Sequence, residues 1–280
     1  MRYRKARALG VAAVVALATA CTAVDAAHVE SSGKMNVVTV TAGDYFFQMP
    51  DTLPAGLTSF RLVNQGKEMH HIQAVRLADG RTLQDLVDHF SRSPAPPAWA
   101  TEVGGPNASA PGAETEAAFE LQPGTYAILC VIPSADRMPH MMKGMMKQVT
   151  VVPATGEPAP APDADVEIVL DDYSFEITPE LTAGRHVIRI DNRASQAHEI
   201  VLIQLAQGMT PQDVIAWADD PKAPPPGRPA GGITGMAKGM VNYATVELPA
   251  GEYALICFVP DASDGKPHFV HGMVRQVTVK

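Results

Sequence analysis

The chain is predicted to be all-β: two tandem Greek-key β-sandwich domains, each with one short inserted helix. Three observations lead there. Short β-rich runs bounded by Gly, Pro and Asp recur along the sequence, most of them occur twice, and a proline-rich stretch separates the two sets. With 24 prolines and 22 glycines in 280 residues, the composition suits many strands joined by tight turns rather than long helices.

In the first copy the runs at 37–41, 59–63 and 71–77 have strand character, and their counterparts are 166–170, 186–190 and 199–204. Thr82 is placed to cap a helix over 83–90, and Thr210 with Pro211 to open one over 212–217. Segments 94–113 and 221–239 are rich in Pro, Gly and Ala and hold the pairs Gly104-Gly105 and Gly231-Gly232. They are expected to be surface excursions near one end of each domain.

The copies match over most of their length. Leu121-Gln122-Pro123-Gly124-Thr125-Tyr126-Ala127-Ile128-Leu129-Cys130 answers Leu248-Pro249-Ala250-Gly251-Glu252-Tyr253-Ala254-Leu255-Ile256-Cys257, and both copies finish on Gln-Val-Thr-Val. A repeat this long is a duplicated domain rather than a solenoid unit. Between them, 153–165 carries alternating proline, which favours an extended semi-rigid spacer. The expected domains are therefore 36–152 and 166–280.

Residues 1–27 read as an export signal. Arg2, Arg4, Lys5 and Arg7 precede an uncharged apolar run over 8–20, too short to span a bilayer. Cys21 sits where a bacterial lipoprotein would be cleaved and lipidated, which would tether the protein to a membrane; Val24-Asp25-Ala26 offers ordinary cleavage instead. Removal of 1–21 takes four basic residues from 22, leaving 18 against 30 acidic ones. That balance excludes nucleic acid as a partner and suits an exported protein. Cys130 and Cys257 are then the remaining cysteines, and a disulfide would require two matching loops to meet.

Four metal-capable side chains recur in the same order: His70, Cys130, His140 and Met145, then His198, Cys257, His268 and Met273. The offset is 128 residues for the histidines and methionine and 127 for the cysteine. Singly, such residues in a β-protein are usually structural. Two imidazoles, one thiolate and a weak thioether, present twice, form the ligand set of a blue-copper centre, so one copper per domain is expected.

Each copy thereby resembles the cupredoxins, the plastocyanin-like type 1 copper family. An asparagine-led turn runs to the first histidine (Asn64 to His70, Asn192 to His198), and one loop carries the other three ligands, with Gly144 and Gly272 beside the methionines. The resemblance implies periplasmic or extracellular one-electron transfer with a redox partner protein. His71 and Glu199 stand where plastocyanins have asparagine. The stretch Met138-Pro139-His140-Met141-Met142-Lys143-Gly144-Met145-Met146 opens an alternative, a copper chaperone or scavenger exchanging Cu(I) with a donor or acceptor protein. A metal-free interaction scaffold is the third reading. No His-x-His pair occurs, and Leu129 and Ile256 stand where nitrite reductases place a catalytic-copper histidine. On that basis the chain is expected not to be an enzyme.

Overall fold

Strands form where β-branched and aromatic residues alternate with polar ones, and they stop at glycine and proline turns. The structure, a computed structural model, describes residues 29–30, 33–93, 95–221 and 224–280; the expected signal over 1–27, with Cys21, lies outside them. The first half contains β1 (Val29–Glu30), β2 (Asn36–Gly43), β3 (Phe46–Gln48), β4 (Thr52–Pro54), β5 (Gly56–Asn64), β6 (Gln73–Leu77), β7 (Ala100–Gly104), β8 (Glu114–Leu121), β9 (Gly124–Leu129), β10 (Met146–Val152) and β11 (Ala154–Thr155). The second half contains β12 (Val166–Asp171), β13 (Ser174–Thr178), β14 (Gly184–Asn192), β15 (His198–Leu205), β16 (Gly227–Met236), β17 (Val241–Leu248), β18 (Gly251–Ile256) and β19 (Val274–Val279).

Helices α1 (Leu83–Phe90) and α2 (Pro211–Asp219) open on Thr82 and Thr210. Each threonine accepts the N–H of an aspartate three residues on, and that carboxylate accepts the threonine N–H in return, which satisfies two orphan donors. Both helices lie outside the sandwich. Leu86 of α1 packs on Val75, Ala127 and Leu129, and Val214 of α2 packs on Ala254 and Ile256.

Two sheets run through both halves. One has the order β13-β12-β14-β17-β8-β5-β2-β3, the other β19-β18-β15-β16-β7-β6-β9-β10-β4. Each half is an all-β sandwich with its own core, one around Phe60, Leu62, Phe119 and Ile128, the other around Ile188, Ile190, Leu202 and Leu255. Buried Tyr126 and Tyr253 tie the β8–β9 and β17–β18 turns through their hydroxyls, which donate to the Gln122 and Pro249 carbonyls at 2.9 and 2.8 Å.

The halves meet in register. Across the β8–β17 pair, Ala117 faces Ala244, flanked by Glu116–Thr245 and Ala118–Tyr243. Ala117 and Ala244 are equivalent in the repeat and the flanking pairs interchange, so a pseudo-two-fold axis passes between the two alanines. The second joint is β7–β16, at Val103 and Met236.

This corrects the expectation for 94–113 and 221–239. Rather than surface excursions, these segments supply β7 and β16 and form the seam. Their paired glycines are there for close approach: a Cβ on Gly105 would lie 2.2 Å from the Ile72 carbonyl oxygen, and one on Gly232 would lie 2.0 Å from that of Ile200. Both have positive φ, 143° and 111°. Reciprocal backbone bonds, Asn107 N–H to Gly232 O (3.1 Å) and Thr234 N–H to Gly105 O (3.0 Å), close the joint.

Candidate metal centre

The first histidine of each set is fixed by an asparagine. Asn64 Nδ2 donates to the carbonyls of Glu68 and Ser109, both at 2.8 Å, and Oδ1 accepts the Gly66 N–H. His70 and Ser109 then exchange backbone bonds of 3.1 and 2.8 Å. In the second half Asn192 donates to Gln196 O and Met236 O at 2.9 and 2.8 Å, which sets His198 at the start of β15.

The other residues come from the loop leaving β9 or β18. In the first half the loop is cinched by Met141 N–H to Cys130 O (2.7 Å), His140 N–H to Ile132 O (3.0 Å), Met145 N–H to His140 O (2.9 Å) and Cys130 N–H to Met145 O (3.1 Å). The second loop repeats all four with Phe269, His268, Met273 and Cys257. Each loop turns through a 3₁₀ segment, His140–Lys143 or His268–His271, closed by Gly144 or Gly272 in the left-handed region.

These elements bring the ligand atoms of His70, Cys130 and His140 within 4.8 Å of one another, and likewise those of His198, Cys257 and His268. His70 Nδ1 is 3.1 Å from His140 Nδ1, and Cys130 Sγ is 3.4 Å from His140 Nδ1. Cys257 Sγ lies 3.4 Å from His268 Nδ1 and 3.8 Å from His198 Nδ1. All six side chains, with Met145 and Met273, are completely buried, and each methionine shares a core with its cysteine.

A second ring of groups, which sequence reasoning missed, holds the histidines from outside. His70 Nε2 meets Asp44 at 2.9 Å, His140 Nε2 meets Glu68 at 2.9 Å, and His198 Nε2 meets Asp172 at 3.3 Å. With the proton on Nε2, each Nδ1 lone pair points to the centre. Around the fourth histidine the carboxylate has moved: Gln196 occupies the place of Glu68, and Asp261 lies 3.6 Å from His268 Nε2. Tyr45 donates to Glu68 at 2.7 Å and its counterpart Tyr173 to Asp261 at 2.6 Å. A readable signal did exist, since the Asp-Tyr dipeptide at 44–45 recurs at 172–173.

The electrostatics suit a cation. Burial pushes the Cys130 thiol up to about 12 and raises Cys257 as well, so a thiolate there requires positive charge beside it. Burial also lowers His70 and His198 and takes His268 to about 4, which leaves neutral imidazoles with free lone pairs. Soft sulfur and neutral nitrogen converging in a dry cage fit copper. Among the described residues both thiols are free, with no disulfide between them.

Other singled-out residues find places. His71 and Glu199 are buried and equivalent: His71 Nε2 accepts the Val131 N–H at 2.9 Å, and Glu199 Oε1 accepts that of Phe258 at 2.9 Å. Burial takes His71 down to about 3 and Glu199 up to about 7. Met141 is buried and Met146 packs beside α1, while Met138 and Met142 are exposed. His271 pairs with Asp264 over the Tyr173 ring, as Lys143 pairs with Asp136 over Tyr45. The trio Asp261, Asp264 and His271, whose ligand atoms also cluster, is thus the counterpart of an ion pair.

No family model matches the chain, and no curated protein matches it. Solved structures that resemble it include dithionite-reduced auracyanin from Roseiflexus castenholzii, at 22% identity over 42% of this chain and 98% of that one, TM-score 0.29. Copper nitrite reductase from Nitrosomonas europaea matches at 15% identity over 88% and 94%, TM-score 0.26. A multicopper oxidase variant from Aquifex aeolicus matches at 10% identity over 88% and 66%, TM-score 0.30. The expectation that the chain is not an enzyme is not upheld: copper nitrite reductase and a multicopper oxidase variant stand beside auracyanin among the structures it resembles. One fold can host binding proteins and catalysts alike, so missing two particular histidine motifs does not decide the point.

Proposed function

We propose that the chain binds one copper ion in each half, on His70, Cys130, His140 and Met145 and on His198, Cys257, His268 and Met273, and passes single electrons. The observation that carries this reading is the double convergence of two imidazole nitrogens and a thiol within 4.8 Å, every donor buried. Bound copper supplies the Cu(II)/Cu(I) couple. The protein's own part is to keep the donors in place. The backbone bonds of the ligand loop fix Cys130 and His140, the Asp44 and Glu68 carboxylates prevent the imidazoles from turning, and the two-sheet core excludes water. A cage that needs little rearrangement between oxidation states suits rapid transfer.

The residues at 1–27 support export across a bacterial membrane, with Cys21 as the lipidation point or removed with the signal; one-electron transfer implies a redox protein as partner. Among the described residues no helix is long and apolar enough to cross a membrane. The exposure of Met138 and Met142 beside the first site favours one second reading, Cu(I) capture and hand-over.

Reconstitution of the purified protein with Cu(II) tests the proposal. Intense thiolate-to-copper absorption, bleached and restored over repeated one-electron cycles, is expected. Weak colour together with preferential Cu(I) binding and transfer to a competing chelator would favour the hand-over reading, and binding of neither ion would overturn both.

A further inference from the structure

Between the two sites lies a buried run of polar side chains that copper binding by itself does not require. Val131, next to Cys130, donates its N–H to His71 Nε2 at 2.9 Å, so the His71 proton sits on Nδ1. The His71 side chain neighbours that of Asn107. Asn107 Nδ2 reaches Glu199 Oε2 at 3.3 Å, and Glu199 Oε1 accepts the N–H of Phe258, next to Cys257, at 2.9 Å. His71, Asn107 and Glu199 are 5%, 2% and 8% exposed, so the run is shielded from bulk solvent.

The seam brings them together. His71 and Glu199 are equivalent positions, each following the first histidine of its site, and the pseudo-two-fold points them at one another. Asn107 closes the gap and has no equivalent that does so. Its counterpart is Thr234, whose hydroxyl donates to Ile72 O at 2.8 Å, as Asn107 donates to the matching carbonyl of Ile200 at 3.3 Å. Thr234 serves the seam alone.

We propose that His71, Asn107 and Glu199 electronically couple the two sites, so that an electron received at one is shared with the other inside the molecule. Covalent and hydrogen bonds carry tunnelling electrons better than gaps do, and this run ends at the residue beside each cysteine. The step moves one electron only. The metal that gives it up is oxidised, the metal that takes it is reduced, no proton or atom is transferred, and an external one-electron donor supplies the charge. The inference rests on copper occupying both sites.

The test uses Asn107→Thr, which copies the twin position, keeps a hydroxyl for Ile200 O and is too short to reach Glu199. In half-reduced, copper-loaded protein, magnetic-resonance exchange of methyl groups packed around each site is followed at several concentrations. Collisional exchange scales with concentration; exchange within one molecule does not. The wild type is expected to retain a concentration-independent rate that falls severalfold in Asn107→Thr, with copper content and visible absorption kept. Two coppers per chain with no such rate, or with a rate unmoved by Asn107→Thr, overturns the coupling while leaving the sites intact. Failure to load copper overturns the reading beneath it. In metal-free protein, ring ¹⁵N shifts of His71 are expected to report a proton on Nδ1, and a proton on Nε2 would break the run whatever the variant does.

Discussion

The Glu68 carboxylate holds His140 Nε2 at 2.9 Å, whereas the equivalent ring of His268 faces Asp261, 3.6 Å away on a different loop. The acid has changed loops between the copies: Glu68 with Ser134 in one, Gln196 with Asp261 in the other. Both arrangements put negative charge behind an outer histidine, and both give that charge a half-buried tyrosine hydroxyl as partner. The contact is tighter in the first half, and His268 Nε2 has no hydrogen-bond partner among the described residues.

A carboxylate behind a ligand favours the more positive oxidation state. Glu68→Gln is therefore expected to raise the reduction potential of the first site. Glu68 is partly exposed, so the shift is screened to ~1 kcal/mol, or ~40 mV for one electron. Voltammetry in a Cys257→Ser background isolates that site. A fall in potential would contradict the assignment of Glu68 as the outer partner of His140.

Asn64→Ala removes the donors to one buried and one part-buried carbonyl and frees the turn that sets His70. Urea unfolding of metal-free protein is expected to show a loss of ~1–3 kcal/mol, and Asn192→Ala a similar one.

Gly105→Ala and Gly232→Ala should damage the seam. Each new methyl would strike backbone oxygen as well as occupy a left-handed conformation. Gly239→Ala has positive φ but open space, and is expected to cost ~1 kcal/mol, with the seam variants costing clearly more. Thermal unfolding distinguishes them, and equal losses would mean that close approach is not what these glycines provide.

His186 pins the end of the spacer. Nδ1 meets Asp165 at 2.6 Å and Nε2 meets Thr182 O at 2.7 Å. Burial opposes the charged ring, but these partners outweigh it and raise the His186 pKa above 6.5; burial likewise opposes the Asp165 charge, yet His186 and the Val187 N–H bring its pKa below 3.8. The pair's contribution is therefore full between about pH 4 and 6.5. It is lost as pH rises through the raised His186 value, and again as pH falls through the depressed Asp165 value. The melting-temperature gap between wild type and His186→Gln should accordingly be larger at pH 5.5 than at pH 8.5.

Local chemistry made part of this legible. Thr82 and Thr210 marked the helix starts because capping depends on residues three apart, although α2 begins at Pro211 and runs to Asp219, beyond the expected 217. The Cys-to-Met loops were legible because one short segment supplies three donors. The seam was not. β7 and β16 pair with the other copy, and a partner more than a hundred residues away leaves no periodicity in a Pro- and Gly-rich segment. Glycines 105 and 232 resembled loop punctuation, yet they serve close packing. Asp44 and Asp172, 26 residues before the histidines they hold, were marked only by the repeated Asp-Tyr pair.

Copper stoichiometry across the cysteine variants tests the central claim most directly. Wild type should bind two coppers per chain with strong thiolate charge-transfer absorption. Cys130→Ser and Cys257→Ser should each lose one site's band, and the double variant should lose both. A wild type without that absorption, or single variants that keep all of it, would contradict the account.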